Sequence, residues 1–289
     1  MRNARILAAA TYGDITRRPL YYILLFTFAF AIVASKFLTL FSFYQEVNMV
    51  REMGMATITF WGFIILVITS GIVVTQELED RTAVTLLAKP VLRSQFLLGK
   101  FAGLVLSLVP GTIVLSGVLF LTLWMMAAPR LPLHDHDLVV GAQAGSSPFV
   151  TALRVTWQHF VVKQSGVVIE GAILSLLQTT ILAALAVSFS AFFPNVVSVA
   201  ATTLVFILGN VSSYMLASVE NLNVRALSAA GRLASYLVPN LGYFNLQMYF
   251  SEGKIISTRY LGLSFAYTAL YVIAVFVVSC SLFQRREVR

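Results

Sequence analysis

Residues 171–219 read GAILSLLQTTILAALAVSFSAFFPNVVSVAATTLVFILGNVSSYMLASV and contain no Asp, Glu, Lys, Arg or His. The hydrocarbon core of a bilayer is crossed by about 20 helical residues, so this stretch is too long for a single membrane span. Pro194-Asn195 divides it near its middle, and a proline at that place favours a turn. The stretch therefore predicts two spans, at about 171–192 and 196–217, joined by a tight turn.

The composition of the whole chain agrees with a membrane protein. Of its 289 residues, 58% are hydrophobic and 11% are charged, whereas soluble domains are about 45–50% apolar and about 25% charged. The mean hydropathy is +0.85. Long stretches without any ionisable group cannot cover the surface of a water-soluble fold, so these values exclude a soluble globular domain.

Four further apolar windows lie at about 20–43, 56–76, 101–127 and 260–283. Lys36 can extend to the interface from the first of them, and Pro110 kinks the third without abolishing it. The first window continues past Val33-Ala34-Ser35, a conceivable signal-peptide cleavage site, and its length favours a span. The sequence thus predicts an all-α polytopic membrane protein, a single transmembrane domain over 1–289 with six spans.

The segments outside the spans carry weaker patterns. Residues 1–18 are expected to form an interfacial elbow helix that ends at Pro19. The outer loop 129–169 fits an amphipathic helix and a strand equally well. Apolar residues at helical spacing between Leu222 and Leu237 predict a helix lying flat or re-entrant at the outer surface.

The net charge of +8 does not indicate nucleic-acid binding, because the basic residues are not gathered on one face with interleaved aromatics. They flank the apolar windows instead. Basic residues are denser in the termini and in the segment 77–100 than in the loops on the other side of the membrane. The positive-inside rule therefore favours an arrangement in which both termini and this segment face the cytoplasm. We therefore expect a multi-pass protein of the cytoplasmic (inner) membrane.

Residues 76–100 read QELEDRTAVTLLAKPVLRSQFLLGK and are the most charge-dense part of the chain. A short helix stopped by Pro90 and a second helix that Ser94 can cap predict a hairpin, at about 77–100, that projects from the membrane. Val84 and Leu87 would face water there unless a partner covers them. A solvated loop that only fixes topology is the alternative.

This hairpin resembles the coupling segment in permease subunits of type-2 ABC exporters. The matching residues are Glu77, Glu79, Thr82, Leu86, Leu87, Pro90, Arg93, Gly99 and Lys100. Arg17-Arg18-Pro19 looks like the elbow of that family, and Phe193-Pro194-Asn195 looks like its turn between the fourth and fifth spans. Asp80 departs from the pattern, since many relatives have a small or polar residue there.

The resemblance implies that the hairpin is a cytoplasmic coupling helix that docks on a separate ATPase. The residues implied in this contact are Glu77, Glu79, Asp80, Arg81, Thr82, Val84, Leu87, Lys89, Pro90 and Arg93. It also implies a complex with two ABC ATPase subunits, which bind ATP and magnesium, and with a second copy of this chain or a homologous permease. Gly99-Lys100-Phe101 lacks the earlier glycine and the hydroxyl of a phosphate-binding loop, so this chain is not expected to bind ATP.

Other polar groups are weaker candidates. Residues that could line a translocation path, or bond neighbouring helices instead, are Gln178, Thr179, Thr202, Thr203 and Asn210. His134-Asp135-His136-Asp137 resembles a metal-ligand cluster, but a solvated loop is favoured, and Glu170 is read as an interfacial anchor. No span contains a histidine, so no catalytic residue, cofactor or metal site is predicted and the chain is not expected to be an enzyme.

The resulting hypothesis is a permease subunit that couples ATP hydrolysis by a partner to export of a substrate. The alternative is a mechanotransmission subunit that passes ATPase motion to an extracytoplasmic protein without moving a solute. A transport path requires polar residues along its length, whereas a transmitter is compatible with a closed apolar seam. No constellation within the spans indicates one chemical class of substrate.

The topology predicts which side of the membrane each loop occupies. In a variant with Cys280 replaced, we expect Ser94→Cys to react with an impermeant thiol reagent only from the cytoplasmic side, because the basic residues are concentrated there. Labelling of intact cells and of inverted vesicles measures this. Reaction of Ser94→Cys in intact cells would reverse the orientation.

Overall fold

The computed structural model describes residues 2–38, 46–71, 93–127, 162–220, 238–245 and 257–285. These residues form seven α-helices and a short 3-10 helix, and no strand occurs among them. The α-helices are α1 (Arg2–Thr16), α2 (Pro19–Leu38), α3 (Glu46–Ser70), α4 (Arg93–Ala127), α5 (Val162–Phe192), α6 (Asn195–Glu220) and α7 (Thr258–Arg285), and the 3-10 helix is Leu241–Phe244. The prediction of an all-α chain is confirmed.

Six of the helices are long and apolar enough to cross a membrane. The candidate spans are Pro19–Phe37, Val47–Ser70, Gln95–Met126, Ser165–Phe192, Asn195–Ser212 and Thr258–Leu282. A helix satisfies its backbone hydrogen bonds internally, which is the condition for crossing lipid. The chain is therefore a multi-pass membrane protein.

Several helices begin earlier than the apolar windows. α3 begins at Glu46 rather than at about 56, α4 at Arg93 rather than at 101, and α5 at Val162 rather than at 171. Hydropathy marks only the part of a helix that suits lipid, whereas backbone hydrogen bonding continues through charged residues at the interface. The predicted outer helix 222–237 and residues 129–161 of the outer loop lie outside the described residues.

The helix α5 is the centre of the bundle. In its most apolar window 72% of the residues are buried, compared with 17% in both α2 and α7. From Ile181 to Val187 the helix is buried on every side, as expected for a segment that is apolar all round. It packs against α3, α4, α6 and α7, while α2, α6 and α7 expose apolar side chains at the periphery.

A glycine in α4 allows α3 to pack closely against it. The Trp61 side chain is fully buried and occupies the space where a side chain on Gly111 would lie. Beside it, the Tyr21 hydroxyl donates to the Ser107 carbonyl at 2.9 Å, and the Tyr21 and Trp61 rings meet edge to face at 5.7 Å. The proline-containing turn of α4 is thereby fixed to both α2 and α3.

Only Phe193 and Pro194 separate α5 from α6, where the sequence predicts a tight turn. The Asn195 side chain lies against Gly71, at the end of α3, in the space that a side chain there would fill. The turn is thus packed against the same end of the bundle at which the chain enters the hairpin.

The contact between Trp61 and Gly111 predicts that substitutions at two glycines of α4 differ in their effect on stability. We expect Gly111→Ala to lower the free energy of unfolding by about 1–3 kcal/mol, because the added methyl group must displace the buried indole. Gly117→Ala is the matched control, since a Cβ there meets nothing within 4 Å. Thermal unfolding in detergent measures both, and equal stabilities would contradict the packing.

Candidate functional site

Most residues of the predicted coupling hairpin lie outside the described part of the chain. This applies to Glu77, Glu79, Asp80, Arg81, Thr82, Val84, Leu87, Lys89 and Pro90. Arg93 is the first residue of α4. The structure describes α4, which follows the hairpin in sequence, and the residues that pack against the first turns of α4.

The start of α4 is joined closely to α1. A Cβ on Gly99 would lie 2.7 Å from the Leu7 Cβ, and one on Gly103 would lie 2.6 Å from the Ala8 carbonyl oxygen. Two glycines four residues apart let helix backbones approach in this way. Since α4 has 35 residues, it is about 52 Å long and exceeds the bilayer core of about 30 Å. We call the close contact between α1 and α4 at Gly99 and Gly103 the α1/α4 seam.

Lys100 lies between the two seam glycines in sequence. Its residue is 4% exposed, and its ammonium lies 5.7 Å from the centre of the Phe96 ring, within the range of a cation–π interaction. The Lys100 side chain therefore lies beside a ring of its own helix in the first turns of α4.

A second feature is a cavity of 290 Å³ between α3, α5, α6 and the 3-10 helix. Its polar lining consists of Glu52, Thr59, Ser175, Gln178, Asn210 and Asn245. Glu52 lies near the start of α3, and α3 enters the hairpin at its other end. The cavity therefore occupies the half of the bundle remote from the hairpin and the α1/α4 seam.

Two hydrogen-bonded pairs cross the cavity wall. The Gln178 side-chain amide donates to the Asn210 Oδ1 at 3.1 Å, and the Thr59 hydroxyl donates to the Ser175 Oγ at 2.9 Å. Gln178 is only 3% exposed, yet no donor among the described residues reaches its Oε1. Gln178 lines the cavity, so this oxygen is available to accept a hydrogen bond from a molecule bound there.

Glu52 is the ionisable residue of the lining. It is half-buried, and within the described residues its carboxylate forms no hydrogen bond or close ion pair. The neighbouring Arg51 does not line the cavity but is near enough to interact with Glu52 electrostatically. The carboxylate thus remains an acceptor on the cavity wall.

Aromatic rings form the apolar part of the lining. Phe206 stacks on Phe63 with ring centres 4.1 Å apart, and Phe63 stacks on Phe60 at 6.1 Å. Phe60 and Phe206 both line the cavity, together with Phe244. Three rings beside a carboxylate give the site both a hydrophobic and a negatively polarised surface.

The segment 238–245 closes one end of the cavity. Leu241 is fully buried against Gly209, which leaves room for it because a Cβ there would lie 2.7 Å from the Leu241 side chain. The Asn240 side chain caps the 3-10 helix by accepting from the Gly242 N–H at 3.1 Å, and the Asn240 N–H donates to the Tyr267 hydroxyl. Phe244 and Asn245 are thereby held over the cavity.

Of the five predicted path residues, the structure brings Gln178 and Asn210 together at the cavity. The hydroxyls of Thr179, Thr202 and Thr203 donate to carbonyls of their own helices, those of Ser175, Ser198 and Val199 respectively. Threonine in apolar surroundings commonly satisfies its hydroxyl in this way. These three residues do not line the cavity.

Sequence reasoning missed Glu52, Thr59, Ser175 and Asn245. Glu52 was assigned to a loop because the second span was expected to begin at about 56. A search that allowed one pair of opposite charges, Arg51-Glu52, within an apolar helix would have included it. Thr59 and Ser175 carry no signal until the relative positions of α3 and α5 are known.

The described residues contain no group of three or more His, Cys, Asp and Glu side chains that could hold a metal ion. His134, Asp135, His136 and Asp137 lie outside them, so the sequence expectation for that cluster stays a prediction. No protein-family model matches the chain, and no curated protein matches it.

The α1/α4 seam predicts a specific change in the mobility of α1. We expect Gly103→Val to speed hydrogen exchange of α1 amides about tenfold. The larger side chain overpacks the contact, which costs about 1–3 kcal/mol and separates the two helices. Gly13→Val is the control, since a Cβ at Gly13 meets nothing within 4 Å. Exchange followed by mass spectrometry measures this, and an unchanged α1 would contradict the seam.

Proposed function

We propose that the chain is the membrane-spanning permease subunit of a type-2 ABC transporter, which couples ATP hydrolysis by a separate ATPase to export of a substrate. The observation that carries the proposal is the Glu77–Lys100 motif, which leads directly into the α1/α4 seam. A docking helix transmits force only if it continues into a stiff element. The close backbone contacts at Gly99 and Gly103 supply such an element.

The packing of α4 offers a route from the hairpin to the cavity. α4 contacts α2 through Tyr21 and Ser107 and contacts α3 through Trp61 and Gly111. α3 in turn supplies Glu52 and Thr59 to the cavity. A rigid-body displacement of α4 would therefore move one wall of the cavity relative to α5, as alternating access requires.

The proposed complex contains two ATPase subunits and a second copy of this chain or a homologous permease. In the cytoplasmic membrane both termini and the hairpin face the cytoplasm, where the ATPases bind ATP and magnesium. The cavity then lies toward the extracytoplasmic side. The apolar side chains exposed on α2, α6 and α7 are available to contact lipid and the second permease.

Mechanotransmission to an extracytoplasmic protein is the second candidate. One observation favours it: beyond Gln178 the central helix α5 is enclosed by apolar packing from Ile181 to Val187. In the proposed orientation this apolar stretch lies on the cytoplasmic side of the cavity. The polar cavity itself favours transport, because a transmitter has no need of unsatisfied hydrogen-bonding groups within its bundle.

The hairpin is tested by variants of the chain purified in mild detergent from its own host. A copurifying protein with a phosphate-binding loop is identified by mass spectrometry, and its ATP hydrolysis is measured in lipid with and without the chain. We expect Glu79→Lys to reduce the stimulation of hydrolysis about tenfold while the ATPase still copurifies, because the acidic end mainly orients the docked helix. Val84→Asp with Leu87→Asp should release the ATPase, because it removes the apolar anchors.

Asp14→Lys is the control for charge reversal, because Asp14 is an exposed residue of α1 outside the hairpin. It should retain both copurification and stimulation. If the hairpin variants also retain wild-type stoichiometry and stimulation, the hairpin is a solvated loop and the proposed function is wrong.

A further inference from the structure

We propose that the cavity between α3, α5 and α6 binds a small protonated amine with an apolar body. The binding itself depends only on the geometry of the cavity. Assigning this amine as the cargo rests on the proposed function.

The polar groups of the cavity that lack partners are mainly acceptors. The Gln178 Oε1 receives no hydrogen bond from the described residues, and neither does the Glu52 carboxylate. Gln178 cannot turn its oxygen away without losing the bond from its amide nitrogen to Asn210. A ligand that binds at either acceptor must therefore bring N–H or O–H donors.

The charge of the ligand follows from Glu52. A carboxylate that gains a charged donor forms a stronger hydrogen bond than one that gains a neutral donor. Arg51, its neighbour in sequence, attracts Glu52 but does not line the cavity. An ammonium group can thus approach the carboxylate from inside, where low polarity strengthens the attraction.

The apolar body of the ligand follows from the aromatic wall. Phe60, Phe206 and Phe244 line the cavity together with Met55. An aromatic ring attracts a cation held over its face and also packs against another ring. Both properties favour an amine joined to an aromatic or aliphatic group over a fully hydrated inorganic cation.

The size of the cavity limits the ligand. Its 290 Å³ lies at the lower end of small-molecule sites, about 300–1,000 Å³. Because a water molecule occupies about 30 Å³ in the liquid, the cavity holds about ten non-hydrogen atoms. The distance along α3 from Glu52 to the level of Gln178 is about 15 Å, which exceeds the length of a ligand of this size. A ligand that places its ammonium at Glu52 therefore does not also reach Gln178.

The probe that we suggest is 2-phenylethylammonium, and its neutral control is 2-phenylethanol, which has the same ring and the same number of non-hydrogen atoms. Both are titrated calorimetrically into the full chain in nanodiscs of phosphatidylcholine, whose headgroup has no N–H donor. We expect the cation to bind at least about tenfold more tightly than the alcohol. Equal affinities would overturn the proposal.

Two variants assign the binding to this cavity. Glu52→Gln keeps the shape of the side chain but removes its charge, so the affinity for the cation should fall about tenfold while that for the alcohol stays the same. Asp14→Asn is the same exchange at an exposed residue of α1 and should leave both affinities unchanged. Equal effects of the two variants would place the cation elsewhere and overturn the proposal.

A protection experiment does not depend on Glu52. With Cys280 replaced by Ala, Ser175→Cys is allowed to react with a small methanethiosulfonate, and saturating 2-phenylethylammonium should slow the reaction at least fivefold. An unchanged rate would overturn the proposal.

Nanodiscs that contain phosphatidylethanolamine test whether a lipid ammonium is the natural occupant. Unchanged binding of the probe supports a soluble amine as the occupant, and loss of binding overturns the proposal of a soluble amine.

None of these measurements involves an ATPase. A chain that binds the probe but shows no ATPase coupling would retain the amine site and lose the transporter. A chain that couples to an ATPase but ignores the probe would retain the transporter and lose the amine site.

Discussion

Helices in lipid have no hydrophobic attraction for one another, so the bundle depends on how closely their backbones can approach. Glycines provide that approach where α3 crosses α4 and α5. Gly111 in α4 receives Trp61 of α3, Gly54 in α3 receives Leu119 of α4, and Gly62 in α3 receives Thr179 of α5. α3 is thereby fixed on two sides, and the positions of its polar residues relative to α5 follow from these contacts.

The same environment makes an unsatisfied polar group expensive, and most of the bundle avoids the cost locally. Ser107, Thr112, Ser188 and Thr202 each donate to a carbonyl of their own helix. Among the described residues, buried side-chain atoms without a hydrogen-bond partner include the Thr11 hydroxyl, the Trp61 indole nitrogen, the Ser116 hydroxyl and one Glu170 oxygen. The cavity differs from these places because Gln178 and Glu52 present acceptors to an open space that a ligand can enter. Polar groups that stay available inside a membrane bundle commonly mark ligand or ion sites.

The α1/α4 seam and the cavity lie at opposite ends of the bundle and are linked by the packing of α4 against α3. The α1/α4 seam makes the first turns of α4 stiff, and Trp61 joins the middle of α4 to α3. The C-terminal end of α3 leads into the hairpin, whereas its N-terminal part presents Glu52 to the cavity. In the proposed function, this arrangement lets a motion at the hairpin change the cavity without any large change within a helix.

The sequence by itself determined that the chain is all-α, that six helices are apolar enough to cross a membrane, and that Pro194 separates two of them. These properties follow from local composition and spacing, because a bilayer imposes one length and one kind of hydrogen bonding on every span. The true starts of α3 and α5 were not determined, because a helix continues through interfacial charges that hydropathy excludes. The start of α4 at Arg93 was indicated by the capping residue Ser94 and not by hydropathy. The tertiary structure alone decided that Gln178 and Asn210 meet, that Thr179, Thr202 and Thr203 do not join them, and that Glu52 and Ser175 do. Which face of a helix meets which neighbour depends on glycine contacts between residues far apart in sequence, and no local pattern encodes that pairing.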